Sequence, residues 1–237
     1  MTAKHKGYVL WRGLSPINGQ PIVAVLTITS ANRKTGNMAQ VWILNESSDP
    51  VQSIATGEDV SICGNCPHRK QPDGTRTCYV NVGQAPLSVY RAWVAGKYPH
   101  IRLHSDAVKK ALSNRKIRWG AYGDPAVLPD SIVRGLNSYA NGHTGYTHQW
   151  EQPWAQWAKG TLMASCDSVT DHDKAKAMGW ATFTVAAVNA RVTHAKLCPA
   201  TVEHSTAQCL TCGLCNGSRA DIYVHAHGPS AKRVAYV

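Results

Sequence analysis

Two apolar, β-branched runs open the patterned part of the chain. PIVAVLTIT (Pro21 to Thr29) and AQVWILN (Ala39 to Asn45) flank the turn-like SANRKTGN, and this arrangement predicts two strands joined as a hairpin. The period then changes. APLSVYRAWVAGKYP sets Leu87, Tyr90, Trp93 and Val94 at helical spacing, which predicts a helix with one apolar face, ended by Pro99. A second helix is expected from Ser105, whose hydroxyl can accept from the free first-turn amides, with Val108 and Leu112 turned inward.

From residue 117 onward strand and helix patterns alternate. IRWGAYG predicts a strand and LPDSIVRGLNSYANG a helix, with Pro129 in its first turn and Gly142 stopping it. TGYTHQW predicts the next strand, PWAQWAKG a short helix, TLMASC a strand, and TDHDKAKAMG a helix closed by Gly179. ATFTVAAV and DIYVHAHG follow as strands. Strands separated by helices pair in parallel through right-handed crossovers, so the expected class is α/β. The number of strands fits a partial or complete (β/α) barrel, with a flat doubly wound sheet as the competing arrangement. One domain over 1–237 is expected: an N-terminal hairpin and lead-in at 1–60, a first cysteine loop at 61–80, a βα core at 115–190 and a second cysteine loop at 196–217.

Parallel architectures bind ligands at the carboxyl ends of their strands. Tyr122, Gly123 and Asp124 follow one predicted strand. Gly123 would let backbone approach a ligand, and Asp124 either accepts from a ribose hydroxyl or an amine or forms the turn with Pro125. Tyr146, Thr147, His148 and Trp150 end another strand. His148 is a candidate base, metal ligand or structural hydrogen-bonding group, and Trp150 a candidate stacking partner for a base or cofactor ring. Trp154 and Trp157, at helical spacing, read as core. Cys166 ends TLMASC, as a small buried hydrophobe or a ligand contact. His225 and His227 alternate on one strand, as metal ligands or as two inward polar groups.

Seven of the eight cysteines fall in two groups. The first is CGNCPHRKQPDGTRTCY, with Cys63, Cys66 and Cys78; the second is CPATVEHSTAQCLTCGLC, with Cys198, Cys209, Cys212 and Cys215. A two-residue gap lets two thiolates turn toward one ion. Three thiols at every third position are typical of a [4Fe–4S] cubane, with zinc on four ligands as the alternative and a disulfide staple as the third reading. The first group has three thiols and no obvious fourth. Either His68 completes a zinc site, or one iron of a cubane stays open to a small-molecule ligand.

Composition narrows the setting. The chain has 237 residues, 43% of them hydrophobic, with no run of about 18 apolar residues and no continuous apolar centre in MTAKHKGYVLWRG. The expectation is a soluble, cytoplasmic protein without a membrane partner. A formal charge of +11 favours a polyanionic partner such as nucleic acid, although the cations are spread along the chain. GxSxG, GxxxxGK[ST] and HExxH are all absent, which removes sequence support for common hydrolase and nucleotidase chemistry.

The order CxxC…CY, R-x-G-x-x-GDP, GYTHQW and a late CP…CxxCxxC resembles cysteine-rich bacteriophage proteins that are distant relatives of the radical S-adenosylmethionine superfamily. The resemblance spans about residues 60 to 228, with CxxC-x11-C standing where that superfamily has CxxxCxxC. It implies a partial or complete barrel, an open [4Fe–4S] cluster on Cys63, Cys66 and Cys78 that binds S-adenosylmethionine, and an auxiliary cluster on the four later cysteines. It also implies radical or redox chemistry in a phage-encoded protein working in the host cytoplasm, with Tyr122, Asp124, Tyr146 and His148 positioning the ligand.

Overall fold

The computed structural model describes residues 5–188, 190–202, 204–226 and 231–233. It is an α/β structure with two five-stranded, mostly parallel sheets. The first sheet begins with β1 (Gly7–Leu14), β2 (Pro21–Thr27) and β3 (Ala39–Asn45), paired antiparallel. β2 buries Ile22 to Leu26 without a break and β3 buries all its residues, so both faces of these strands are covered and the apolar run replaces alternation. The helices α1 (Pro50–Thr56), α2 (Val60–Cys63), α3 (Ala85–Val94) and α4 (Asp106–Leu112) then carry the chain to β4 (Ile117–Tyr122), which lies parallel to β3. After α5 (Asp130–Asn137), β5 (His143–Thr144) closes the first sheet on the far side of β4.

The second sheet has the order β6-β7-β8-β10-β9 and is parallel throughout. Its strands are β6 (Tyr146–Thr147), β7 (Met163–Cys166), β8 (Thr182–Ala186), β9 (Lys196–Leu197) and β10 (Ile222–His225); α6 (Val169–Ala177) joins β7 to β8, and α7 (Cys209–Cys212) precedes β10. One residue, Gly145, separates the sheets. Its amide donates to the Cys215 carbonyl at 3.2 Å and its own carbonyl accepts from Met163 at 3.0 Å. A Cβ here would stand 2.5 Å from Leu162 Cδ2 and 3.0 Å from Trp119 Cβ, so glycine is what lets the strand pass between them. Trp119 is fully buried, with Nε1 donating to Asn137 Oδ1 at 2.9 Å.

Several local expectations change. TGYTHQW is not one strand but β5 and β6, divided at Gly145. PWAQWAKG forms a 3-10 turn over Pro153–Ala158, with Trp154 and Trp157 packed on the core. In α3, Val89 is buried while Val94 is 63% exposed, so the apolar face is rotated from the one predicted. Ser105 occupies the N-cap position of α4 but makes no side-chain cap bond. Pro129 sits at the N-cap of α5, and that helix ends at Asn137, ahead of Gly142. α1 is capped instead by Asp49, which accepts from the amides of Val51 and Gln52, and ends on left-handed Gly57. Among the described residues, no helix is long and apolar enough to cross a membrane.

Candidate metal centres

The carboxyl ends of β4, β6 and β7 bring the first cysteine group its surroundings. Tyr122 ends β4, His148 follows β6, and Asp167 follows β7. The cysteine loop is stitched onto this edge by backbone: the Asp124 amide donates to the Ile62 carbonyl at 2.6 Å, and Gln149 Nε2 donates to the Cys63 carbonyl at 3.1 Å. Gly64, at φ 56°, lies directly on the Gln149 amide, which a Cβ would meet at 2.5 Å. Arg69 closes the loop, donating to Gly64 and Gly57 carbonyls and pairing with Asp59 at 2.6 Å.

Inside this frame His148 Nε2 faces Cys66 Sγ at 3.9 Å and Asp167 Oδ2 at 3.4 Å. His68 Nε2 meets the other oxygen, Asp167 Oδ1, at 2.9 Å, and its Nδ1 lies 2.8 Å from Thr77 Oγ1. Burial pushes the Cys63 thiol well up, and Cys66, Asp59, Cys78 and Asp124 add repulsion. Cys78 is also raised by burial, with Arg76 opposing. Burial pulls the other way on His148, but Cys66 and Asp167 outweigh it and hold the imidazolium well above its ordinary range. Burial would raise Asp167, yet His148 and His68 keep its carboxyl well below the usual carboxylate range. The pocket therefore stores a carboxylate flanked by two imidazoles against a set of buried thiols.

The second group collects from three places. Cys198 follows β9 and heads a 3-10 turn, Cys209 and Cys212 bound α7, and left-handed Gly213 turns the chain toward Cys215. The loop docks on the β2–β3 hairpin turn through Cys209 amide to Lys34 carbonyl at 3.1 Å and Leu210 amide to Thr35 carbonyl at 3.0 Å. Burial raises the Cys198, Cys209 and Cys215 thiols, and each also feels the other sulfurs of the set. Cys215 is pushed up to about 12. Three desolvated sulfurs, with Cys212 close enough to add repulsion, are what a bound cation would relieve.

The strand-end candidates divide between the groups. Tyr122 is buried beside Cys63 and Cys78 with its hydroxyl unpartnered, and burial raises its pKa. Tyr146 belongs to the other group: burial and the nearby Cys215 and Cys209 sulfurs raise its hydroxyl well above its ordinary range, and its ring tilts on Phe183 at 4.2 Å. Tyr146 opens β6 and His148 directly follows that strand, so neighbouring positions of the chain serve different cysteine groups.

Four other candidates have packing or turn roles. Asp124 spends one oxygen on the Ala126 amide (2.9 Å) and the other on the His148 amide (2.8 Å), and burial raises its pKa. Its carboxylate forms the turn and pins His148. Gly123, at φ 78°, packs on Ile43, whose Cβ a side chain would meet at 2.8 Å. The Trp150 indole is buried, donates to the Ser165 carbonyl at 3.0 Å, and has Lys174 Nζ 5.9 Å from its ring. Cys166 is buried with its sulfur 3.5 Å from the Ala164 carbonyl, and burial raises it strongly. His225 Nε2 lies 2.9 Å from the Ala190 carbonyl, and His227 lies outside the described residues. Asp167 was not anticipated; its one signal is that it directly follows TLMASC on the ligand-binding edge.

Ligand spacing tests what these residues fit. Four sulfurs around one zinc at about 2.3 Å stand about 3.8 Å apart. Among the described residues, only His68, His148 and Asp167 form a group of three or more ligand atoms lying within 4.8 Å of one another. No three cysteine sulfurs among the described residues lie within 4.8 Å of one another. Comparison with family models, curated proteins and solved structures finds no match.

Proposed function

We propose that the chain is an iron–sulfur protein with two [4Fe–4S]-type centres on a barrel-like α/β fold. Cys198, Cys209, Cys212 and Cys215 would hold a fully ligated centre for structure or electron transfer. Cys63, Cys66 and Cys78 would hold one with an open iron at the carboxyl edge of the strands. The observation that carries this reading is the gathering of buried thiols of each group near enough to repel one another, Cys63 with Cys66 and Cys78, and Cys215 with Cys198, Cys209 and Cys212. The cysteine spacing, and its resemblance to phage relatives of the radical S-adenosylmethionine superfamily, supports it.

Such a centre supplies reducing electrons and an open coordination position, with S-adenosylmethionine as the ligand class the resemblance implies. The chain's own residues shape the mouth. His148 holds a proton at Nε2 toward Cys66 and Asp167, and Asp167 fixes both imidazoles. Tyr122 directs a buried hydroxyl at the same pocket. A second reading has its own observation: His68, His148 and Asp167 are close enough to bind one zinc, with Cys66 beside them, in a protein that binds without catalysis.

Anaerobic purification with iron, sulfide and zinc quantified per chain separates the two. The first reading expects iron and sulfide in equal amounts, about half of each lost in Cys212→Ser, and an electron paramagnetic resonance spectrum altered by S-adenosylmethionine. Zinc without sulfide would overturn it in favour of the second. A cluster spectrum indifferent to the nucleoside would overturn the open iron.

A further inference from the structure

Basic residues scattered in sequence converge in space around the second cysteine loop. The segments 30–45, 107–123 and 204–220 contain no aspartate or glutamate, yet supply Arg33, Lys34, Lys110, Arg115, Lys116, Arg118 and Arg219, besides Lys109 over the Tyr139 ring. Hydrogen bonds join them: Gln208 Nε2 donates to the Arg33 carbonyl at 2.9 Å, Cys209 to Lys34, and Ala39 to the Lys116 carbonyl at 2.9 Å. Lys116 Nζ lies 3.2 Å from where a Cβ on Gly213 would stand, and Arg118 lies near Cys209. Some cations elsewhere are paired, as in Arg12–Glu46, Lys174–Glu151 and Lys176–Asp221. No described carboxylate forms an ion pair with any of these seven.

A cleft of about 370 Å³ opens at the centre of this surface, between the end of α4 and α7. Lys110, Arg115, Asn37 and Asn114 line it, with Leu210 as one apolar wall. Several acceptors around it are already used: the Lys110 carbonyl by the Ser113 hydroxyl, the Arg115 carbonyl by the Asn141 amide, and Asn37 Oδ1 by the Ser30 amide. Its two charged lining residues, Lys110 and Arg115, are both cations. Beyond α7, Tyr79 is 58% exposed, and Arg118 Nη2 reaches its hydroxyl at 3.4 Å.

We infer that this face binds single-stranded nucleic acid, taking backbone phosphate in the Lys110–Arg115 cleft and stacking a base on Tyr79. Cations that track a backbone, interleaved with an exposed ring, are the features single strands require. The inference does not depend on which metal the cysteines hold.

The test is fluorescence anisotropy of the full chain with a labelled oligothymidylate of about 20 nucleotides, titrated between about 50 and 200 mM salt. The double variant Lys110→Ala, Arg115→Ala should weaken binding about tenfold or more and flatten the slope of log affinity against log salt by about 1.4. Tyr79→Ala should weaken it about fivefold or more while Tyr79→Phe keeps it, and Lys174→Ala should change nothing. Circular dichroism and metal content, read on every sample, keep misfolding and failure of the metal reading separate from failure of this one. An unchanged slope in the double variant, equal affinity for a duplex of the same length, or equal competition by inorganic polyphosphate would each overturn the inference.

Discussion

Arg69→Ala should open the first cysteine loop and cost the whole fold about 3 kcal/mol. Asp59 retains only 4% side-chain exposure and Arg69 19%, so the pair is not a solvated surface contact. Removing one partner of a buried pair costs about 3–5 kcal/mol because the other charge is stranded, and the residual exposure on the arginine side places the figure near the low end. Arg69 also satisfies the Gly64 and Gly57 carbonyls, which flank the helix ending in Cys63. At about 2–4 °C per kcal/mol for a chain of this size, the melting temperature should fall by about 6–12 °C. Urea titration followed by the fluorescence of the eight tryptophans reads the stability. Adding Asp59→Asn should recover at least about 1 kcal/mol, since a neutral amide needs no counter-charge. If both cysteine groups bind metal as proposed, metal at Cys63, Cys66 and Cys78 should drop while the four later cysteines keep theirs. A cost below about 1 kcal/mol, the scale of an exposed pair, would refute the reasoning.

Gly145→Ala should destabilise by about 1–3 kcal/mol through overpacking against Leu162 and Trp119, read by thermal melting; an unchanged melt would show that the strand has room to spare. In native protein stripped of metal, Cys166 should be the last of the eight thiols alkylated by iodoacetamide at pH 8, because burial leaves little thiolate; early labelling by mass spectrometry would contradict that. Burial, and then the neighbouring His194 ring 3.6 Å away, lower the pKa of His172, which is bonded to Thr182 Oγ1 at 2.9 Å. The unfolded chain therefore binds the proton more readily, and this contribution to stability is lost as pH falls below about 6.5. His172→Asn should flatten the stability profile between about pH 7 and 5, and an unaltered profile would assign the dependence to other groups.

Elements whose apolar period matched their packing were legible in the sequence. The β3 boundaries coincide with AQVWILN, and Val108 and Leu112 point inward as their spacing implies. β1 escaped because GYVLWRGL mixes a buried run with an alternating half across a bulge between Val9 and Trp11. The break at Gly145 escaped because it arises from the distant Leu162 and Trp119 and from the carbonyl of Cys215. The same cause divided the site. Tyr146 and His148 were grouped by position on one strand, but each belongs with a different cysteine group because the two loops arrive from opposite ends of the sequence. Asp167 became visible only through its contacts with His68 and His148, which lie 99 and 19 residues away by number.

The order in which these parts occur along the chain has a consequence for synthesis. The residues that bond and border the first cysteine group, Asp59, Tyr122, His148 and Asp167, are all encoded before residue 170, whereas the second group includes Cys215. A ribosome releasing the chain from its N-terminus delivers these residues before the last three cysteines are translated. The docking partners of the second loop, Lys34, Thr35 and Gly145, likewise all precede it in synthesis, so the loop that comes last finds each of its backbone partners already made.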